Sequence, residues 1–379
     1  MRRLSTALLG LLVAAPLAAQ SSQFGVRGLG LPLRPISVRA TALGGGFSLF
    51  DAESALNPAS IGQVVFLTAN FQTVQSWRNS VSPAGSARAR DNRYPGVFVA
   101  GPIGGTPLSI SLSASGFTDR NFILASRDTL LIRGQPIEAF DTLSSQGGLS
   151  DLRAALAWRQ SRAIHWGVGV HMITGSNRIV SHRAFTDSTY SGVSERFTYS
   201  YLGFGVSAGV VARLGKYVTL AGLVRADDRV RVELDTAALG NAKLPLTVSG
   251  GARVQLGDRV LLAGSGLYRN WSRSSADLVR LGGVGSVNTT EFSAGIEYLT
   301  DPKRLSHRPL RLGVRYATLP FPFKLGAKTS ETAISFGTSF RFVAERAGFD
   351  VALQRVWRKG GAGFTEKATL LSLGVSVRP

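Results

Sequence analysis

Glu331-Thr332-Ala333-Ile334-Ser335-Phe336-Gly337-Thr338-Ser339-Phe340-Arg341-Phe342-Val343 reads with a period of two. Ile334, Phe336, Phe340 and Phe342 fall on one side of an extended chain; Glu331, Ser335, Gly337, Ser339 and Arg341 fall on the other. Successive side chains of a strand point to opposite faces, whereas a helix would mix both sets around its axis. The pattern recurs at Leu246, Val248, Ala252, Val254 and Leu256 against Thr247, Ser249, Gly251, Arg253 and Gln255. It recurs again at Leu310, Leu312, Val314 and Tyr316 against Arg311, Gly313 and Arg315, and at Phe292, Ala294, Ile296 and Tyr298 against Glu291, Ser293, Gly295 and Glu297.

Read in order, alternating segments occupy 63–78, 93–101, 107–118, 149–160, 163–181, 195–213, 216–226, 244–257, 259–272, 288–301, 309–318, 330–344, 346–358 and 366–378, fourteen strands in all. The stretch 121–143 is able to add or distort a strand. Several runs exceed the ~9–11 residues that a tilted strand needs to cross a bilayer. Short links such as Leu256-Gly257-Asp258-Arg259 and Val343-Ala344-Glu345-Arg346 alternate with longer ones at 79–92, 119–148, 182–194, 226–243, 272–287 and 319–329. Short turns at one end and long loops at the other are the layout of an outer-membrane barrel. A soluble sandwich or propeller also alternates, but here the polar face is rich in Gly and Ser and carries charges of both signs, as a crowded barrel lumen requires. The expected fold is therefore an all-β transmembrane antiparallel barrel, closed so that no strand edge meets lipid.

Composition agrees. The 379 residues include 44 Gly and no Cys, and only 17% are charged, against roughly 25% on average. Without thiols there is no disulfide framework, no Cys-based metal site and no thiol nucleophile. Arg2 and Arg3, the apolar run Ala7–Val13 and the small residues from Ala14 to Ala19 have the form of a signal peptide over 1–20, with cleavage near Ala18 to Gln20. Its apolar core is shorter than the ~20 residues of a spanning helix. Removing Arg2 and Arg3 lowers the formal charge from +20 to +18, so the basic excess belongs to the exported chain.

Residues 39–62 do not alternate: Arg39-Ala-Thr-Ala-Leu-Gly44-Gly45-Gly46-Phe47-Ser-Leu-Phe-Asp51-Ala-Glu53-Ser-Ala-Leu56-Asn57-Pro58-Ala59-Ser-Ile-Gly62. Gly44 to Gly46 permit a sharp turn. Asp51 is placed to cap a short helix through Glu53 and Leu56, which Asn57-Pro58 would stop. A barrel wall has no room for such a piece, which leaves the lumen. The expected organisation is signal 1–20, extension and luminal hatch 21–62, and barrel 63–379.

The run from Arg39 to Phe47, Asp51 and Ala55-Leu56-Asn57-Pro58-Ala59 resembles the hatch of the FadL-type outer-membrane transporter superfamily and its PorV-like relatives. Leu319-Pro320-Phe321, Glu331 and Glu366 resemble closing hairpins of the same superfamily. The resemblance implies a fourteen-stranded barrel in the outer membrane, a hatch in its lumen, and passive passage of hydrophobic or amphipathic, fatty-acid-like molecules without a cofactor. Gly44, Gly45, Asp51, Asn57, Pro58 and Ala59 become candidates for gating. The alternatives are a PorV-like scaffold or shuttle with secretion-system partners, and a purely structural barrel. The last strand ends in Arg378-Pro379 rather than an aromatic, leaving Val377 to meet the outer-membrane assembly machinery.

Gly205-Val206-Ser207-Ala208-Gly209 matches a hydrolase elbow, but that elbow needs a strand turning into a helix. Here Leu202, Phe204, Val206, Ala208 and Val210 keep alternating through it, so Ser207 is expected to be a small lumen residue and the chain not an enzyme. His165 and His171 share the polar face about 20 Å apart at ~3.3 Å per residue, too far for one ion; His182 and His307 fall in expected loops. Arg153, Arg253, Arg311, Arg315, Arg341, Glu291, Glu297, Glu331 and Asp350 are expected inward, as a ladder of ion pairs that fills the barrel and holds the hatch. Surplus Arg would attract an anionic head group through bidentate bonds. Scattered Arg without a base-reading module do not fit nucleic acid. Arg88, Arg90 and Arg93 fit the phosphates of outer-membrane lipid, and Trp77, Trp158, Trp271 and Trp357 fit interfacial girdles.

Overall fold

In the computed structural model, residues 22–378 are described, except 84, 236, 302–307, 325, 343–345 and 362. The signal-like segment, His307 and Pro379 lie outside the described residues. The strands are β1 (Leu31–Pro32), β2 (Thr68–Ser82), β3 (Gly85–Pro102), β4 (Leu108–Asp119), β5 (Phe122–Ile132), β6 (Gln135–Arg159), β7 (Ile164–Phe185), β8 (Val193–Leu214), β9 (Val218–Leu234), β10 (Ala237–Lys243), β11 (Leu246–Leu256), β12 (Val260–Asn270), β13 (Thr289–Tyr298), β14 (Leu310–Thr318), β15 (Ser330–Phe342), β16 (Ala347–Gly361) and β17 (Phe364–Val377). Two short helices are α1 (Val38–Ala42) and α2 (Ser275–Arg280).

Fourteen strands, all but β1, β5 and β10, form one antiparallel wall that closes where β17 pairs with β2 from Thr365↔Val81 to Val377↔Ala69. The expected count stands. Its lipid side carries exposed Phe292, Leu312, Val314, Ile334 and Phe336, while Ser335, Arg315 and Glu331 are buried toward the lumen. Among the described residues no helix is long and apolar enough to cross a membrane.

Several links expected as loops are strand instead. The β2–β3 hairpin stays paired to Ser82↔Gly85, β5 folds back along the outer reach of β6, β7 and β8 pair out to Arg183↔Val193, and β10 extends β9. His182 accordingly lies in β7 rather than in a loop. The apolar half of the period-two pattern stops where lipid stops, but backbone pairing needs no apolar residue and runs on into water. The first wall strand begins at Thr68 rather than 63 because Pro58–Gln63 forms a 3-10 turn.

Residues 22–33 line the long-hairpin end of the lumen. Ser22 Oγ donates to Glu366 Oε2 at 2.8 Å, Gln23 Nε2 donates to the carbonyl of Thr365 at 2.8 Å, and Leu31 and Pro32 pair with Asp119 and Thr118 of β4. The chain then descends toward the short-turn end, where Thr68 opens the wall.

Candidate functional site

The luminal segment is seated on glycine. A Cβ on Gly313 of β14 would lie 2.0 Å from the backbone nitrogen of Gly44, whose own positive φ of 68° suits a residue without a side chain. On the other side of the lumen, a Cβ on Gly167 would lie 2.3 Å from Ala59 N. Leu43, Phe47, Leu49, Phe50 and Ala59 pack with Val211, Leu223 and Leu261 of the wall.

The local turns differ from expectation. No helix follows Asp51. Ser37 caps α1 by accepting from Ala40 N at 3.0 Å, and Asp51 accepts from the Ser37 and Ser54 hydroxyls and from Glu53 N. Asn57 starts a helical turn instead of ending one: its Oδ1 accepts from Ala59 N at 3.0 Å, with Pro58 at the first helical position, where a missing N–H costs nothing. Asn57 Nδ2 donates to the carbonyl of Leu49 at 2.9 Å. A Cβ on Gly45 would lie 3.1 Å from Ser293 Oγ, and the Gly45 carbonyl accepts from Ser265 Oγ at 3.3 Å.

The inward charges form two networks that join segment to wall. In one, Arg39 pairs with Glu297 at 2.6 Å, Glu297 with Arg311 at 2.6 Å, Arg311 with Asp350 at 3.0 Å, and Asp350 with Arg341 at 3.2 Å. In the other, Arg34 bridges Glu291 at 3.1 Å and Glu331, which also holds Arg315 at 2.8 Å and Arg358 at 2.6 Å. Arg253 stacks near Phe47 and Phe50, with centroid distances of 5.9 and 5.7 Å. Arg153 is buried, and its guanidinium has no hydrogen-bond partner among the described residues.

A cavity of about 620 Å³ lies between this segment and β2, β3, β4, β6, β16 and β17. Leu31, Leu33, Val74, Leu149, Val356 and Leu370 give it apolar lining, and Arg93, Asp119 and Glu331 give it charge. It abuts a break in the wall. The β3–β4 ladder runs only from Pro102↔Ser109 to Gly96↔Ser115; beyond it, β4 pairs with β1 of the luminal segment instead of with β3. Pro95, which has no N–H to give a ladder, stands at the break, and register shifts flank it at Gln72/Val74 and Gly116/Thr118. Tyr94 lines the cavity and is 62% exposed, its ring 5.7 Å from that of outward-facing Phe71. Arg93 Nη1 spans the break to Asp119 Oδ2 at 3.0 Å. Sequence reasoning missed this feature, although a proline inside a strand pattern was its visible sign.

His171 is buried between strands: Nδ1 lies 2.9 Å from Asp151 Oδ1, and Nε2 lies 2.9 Å from Ser207 Oγ. Asp151 also accepts from Arg225 Nη1 at 2.5 Å. His165 instead packs against Gly62. Among the described residues no group of three His, Cys, Asp or Glu could hold a metal ion. Trp77 and Trp158 face outward, as a girdle requires, but Trp271 does not. It is 1% exposed, packed edge-on to Phe321 at 5.1 Å in an apolar cluster with Leu278, because the expected loop 272–287 folds inward as α2.

No family model and no curated protein sequence matches the chain. Solved structures do. A Pseudomonas aeruginosa FadL homologue superposes with a TM-score of 0.63 at 15% identity, covering 92% of this chain and 99% of its own. The Ralstonia pickettii toluene transporter TbuX gives 0.59 at 14% identity over 91% and 99%, and the P. putida toluene transporter TodX gives 0.59 at 12% over 91% and 98%. The chain has the fold of FadL-type outer-membrane barrels.

Proposed function

We propose that the protein is an outer-membrane channel for passive entry of hydrophobic or amphipathic small molecules, fatty-acid-like or aromatic, with residues 21–62 as the hatch that gates it. One observation carries this reading: the partly apolar cavity of about 620 Å³ meets the wall where the β3–β4 ladder has ended. A greasy solute entering there leaves water for an apolar lining and has a short route sideways into lipid. Burial of apolar surface, worth roughly 25 cal/mol per Å², supplies the attraction. The matched structures, a FadL homologue and two toluene transporters, support the reading and lend nothing to the secretion-scaffold alternative.

The test is uptake of labelled fatty acid and of toluene into liposomes that hold the purified barrel. Val74→Trp, which fills the cavity, should cut uptake by about tenfold, as expected for ~1.4 kcal/mol of lost access. A variant altered at Asn57 and Pro58 should change the rate by loosening the hatch. Uptake no faster than into empty liposomes, for both solutes, would sink the proposal.

A further inference from the structure

Of four neighbouring strands at the barrel's closure, three, β16, β17 and β3, carry cations on their lipid side at a common height, and β2 among them carries none. Register aligns Arg355 (β16), Thr369 (β17), Trp77 (β2) and Arg90 (β3) in one row, and Trp357, Lys367, Asn79 and Arg88 in the next; Lys359 lies one row further toward the long hairpins. Arg88, Arg90, Arg355, Lys359 and Lys367 are all exposed. Every acid on these four strands, Asp91, Asp350 and Glu366, alternates to the lumen side and is buried there. The outward face of this sector thus holds five cations and no carboxylate.

The height of the patch is also fixed. Below it, on the same faces, lie Leu353, Phe71 and Val97, which suit hydrocarbon. Trp77 and Trp357 stand within its rows, at the level where aromatic residues mark the edge of the bilayer. Arg355 donates to Thr369 Oγ1 at 2.7 Å and lies 6.0 Å from the Trp357 ring, so its guanidinium stays at this level. The chain enters and leaves the wall at the opposite, short-turn end, which places the patch at the outer leaflet. Three inter-strand steps of ~4.8 Å confine these charges to a width of about 15 Å. Long aliphatic stems lie along the apolar wall while the charged heads reach the headgroup layer. Like charges so close repel unless anions sit among them, and phosphate oxygens match guanidinium donors in pairs.

We propose that this face is a docking site for a phosphate-bearing lipid of the outer leaflet, one whose headgroup carries more than one phosphate. The site stands on the outside of the wall and does not depend on the transport reading. The test uses the purified full-length barrel in phosphatidylcholine nanodiscs containing diphosphoryl or monophosphoryl lipid A, with native mass spectrometry counting the retained lipid. The wild type should retain diphosphoryl lipid A over both monophosphoryl lipid A and phosphatidylcholine. The R88Q/R90Q/K367Q variant should retain it about tenfold less or weaker still, since each cation near an anionic surface contributes on the order of a few-fold, and R88K/R90K should keep most of it. Heat-dependent gel mobility in phosphatidylcholine alone checks that the variant folds. If it does not fold, the wild-type preference between the two forms of lipid A carries the test. Equal retention by wild type and variant, no wild-type preference, or equal stabilisation by inorganic phosphate alone would overturn the proposal.

Discussion

Arg39 of α1 holds Glu297 of β13 with two hydrogen bonds, Nη2 to Oε1 at 2.6 Å and Nε to Oε2 at 3.1 Å, and the same carboxylate accepts from Arg311 Nε at 2.6 Å. One buried acid therefore ties the luminal segment to the wall and one wall strand to the next. Two-pronged arginine–carboxylate contacts are directional, which fixes the angle at which α1 sits.

The two partners should fail differently. Arg39→Gln leaves Glu297 paired with Arg311, so the wall stands and only the segment loosens. Glu297→Gln takes the carboxylate from Arg39 and leaves Arg311 with Asp350 alone, so buried positive charge loses part of its compensation, a loss of about 3 kcal/mol at most. Limited proteolysis should cut the N-terminal segment of Arg39→Gln faster while the heat-dependent gel shift stays; Glu297→Gln should lower the thermal midpoint as well. Identical behaviour of the two variants would refute the division of roles.

Glu53 makes the segment sensitive to pH. Burial, then the neighbouring Asp51 and Asp350, push its carboxyl up from 4.5 to about 7 against the opposing pull of Arg341 and Arg378. The folded protein holds this proton more tightly than the unfolded chain does. The stability it contributes is thus greatest below about pH 4.5, falls as pH rises to about 7 and is flat above that. The loss across the window is at most about 3 kcal/mol. Thermal midpoints at pH 5 and pH 8 should differ less in Glu53→Gln than in the wild type, with the variant more stable at pH 8. A variant that keeps the wild-type difference would assign the effect elsewhere.

The chain of contacts from Ser207 through His171 to Asp151 has the atoms of a hydrolytic triad in a different setting. Ser207 stands mid-strand, paired to Gly169 on one side and Arg225 on the other, and Asp151 is shared with Arg225. Backbone N–H groups engaged in ladders are not free to hold an oxyanion, which is the largest single contribution in acyl transfer. Ser207→Ala should therefore cost stability, about 1–3 kcal/mol from the buried His171 nitrogen left unpaired. It should leave ester hydrolysis by the purified barrel at the buffer rate, as in the wild type. Hydrolysis that the wild type shows and the variant lacks would reverse this assignment.

The wall was legible because each strand's neighbours are set by order along the chain, and lipid on one side imposes a strict period of two. The strand count and the inward set from Glu291 to Asp350 follow from local pattern alone. The partners of those charges do not: Arg39 and Glu297 are 258 residues apart, and no local rule joins them. The turn at Asn57 was misread because Asn-Pro both ends helices and begins them, and the tertiary seat on Gly167 decides between the two. Trp271 was misplaced because a tryptophan beside a strand end suits a girdle or a plug equally well, until α2 folds over the mouth.

Arg93 and Asp119 clasp β3 to β4 beyond the last rung of their ladder, at 3.0 Å, with both side chains largely shielded from water. If solutes leave the cavity through this break, the clasp resists its widening. Arg93→Ala should raise uptake of a bulky fatty acid on the order of fivefold, as ~1 kcal/mol of released interaction implies, and change toluene uptake less, because a smaller solute needs less widening. The exchanged pair R93D/D119R should bring fatty-acid uptake back toward the wild-type rate, whereas R93D alone, facing Asp119 with like charge, should exceed Arg93→Ala. Liposome uptake rates for the four proteins give the answer directly. Rates that ignore charge pairing, or a toluene effect as large as the fatty-acid effect, would move the exit path away from the β3–β4 break.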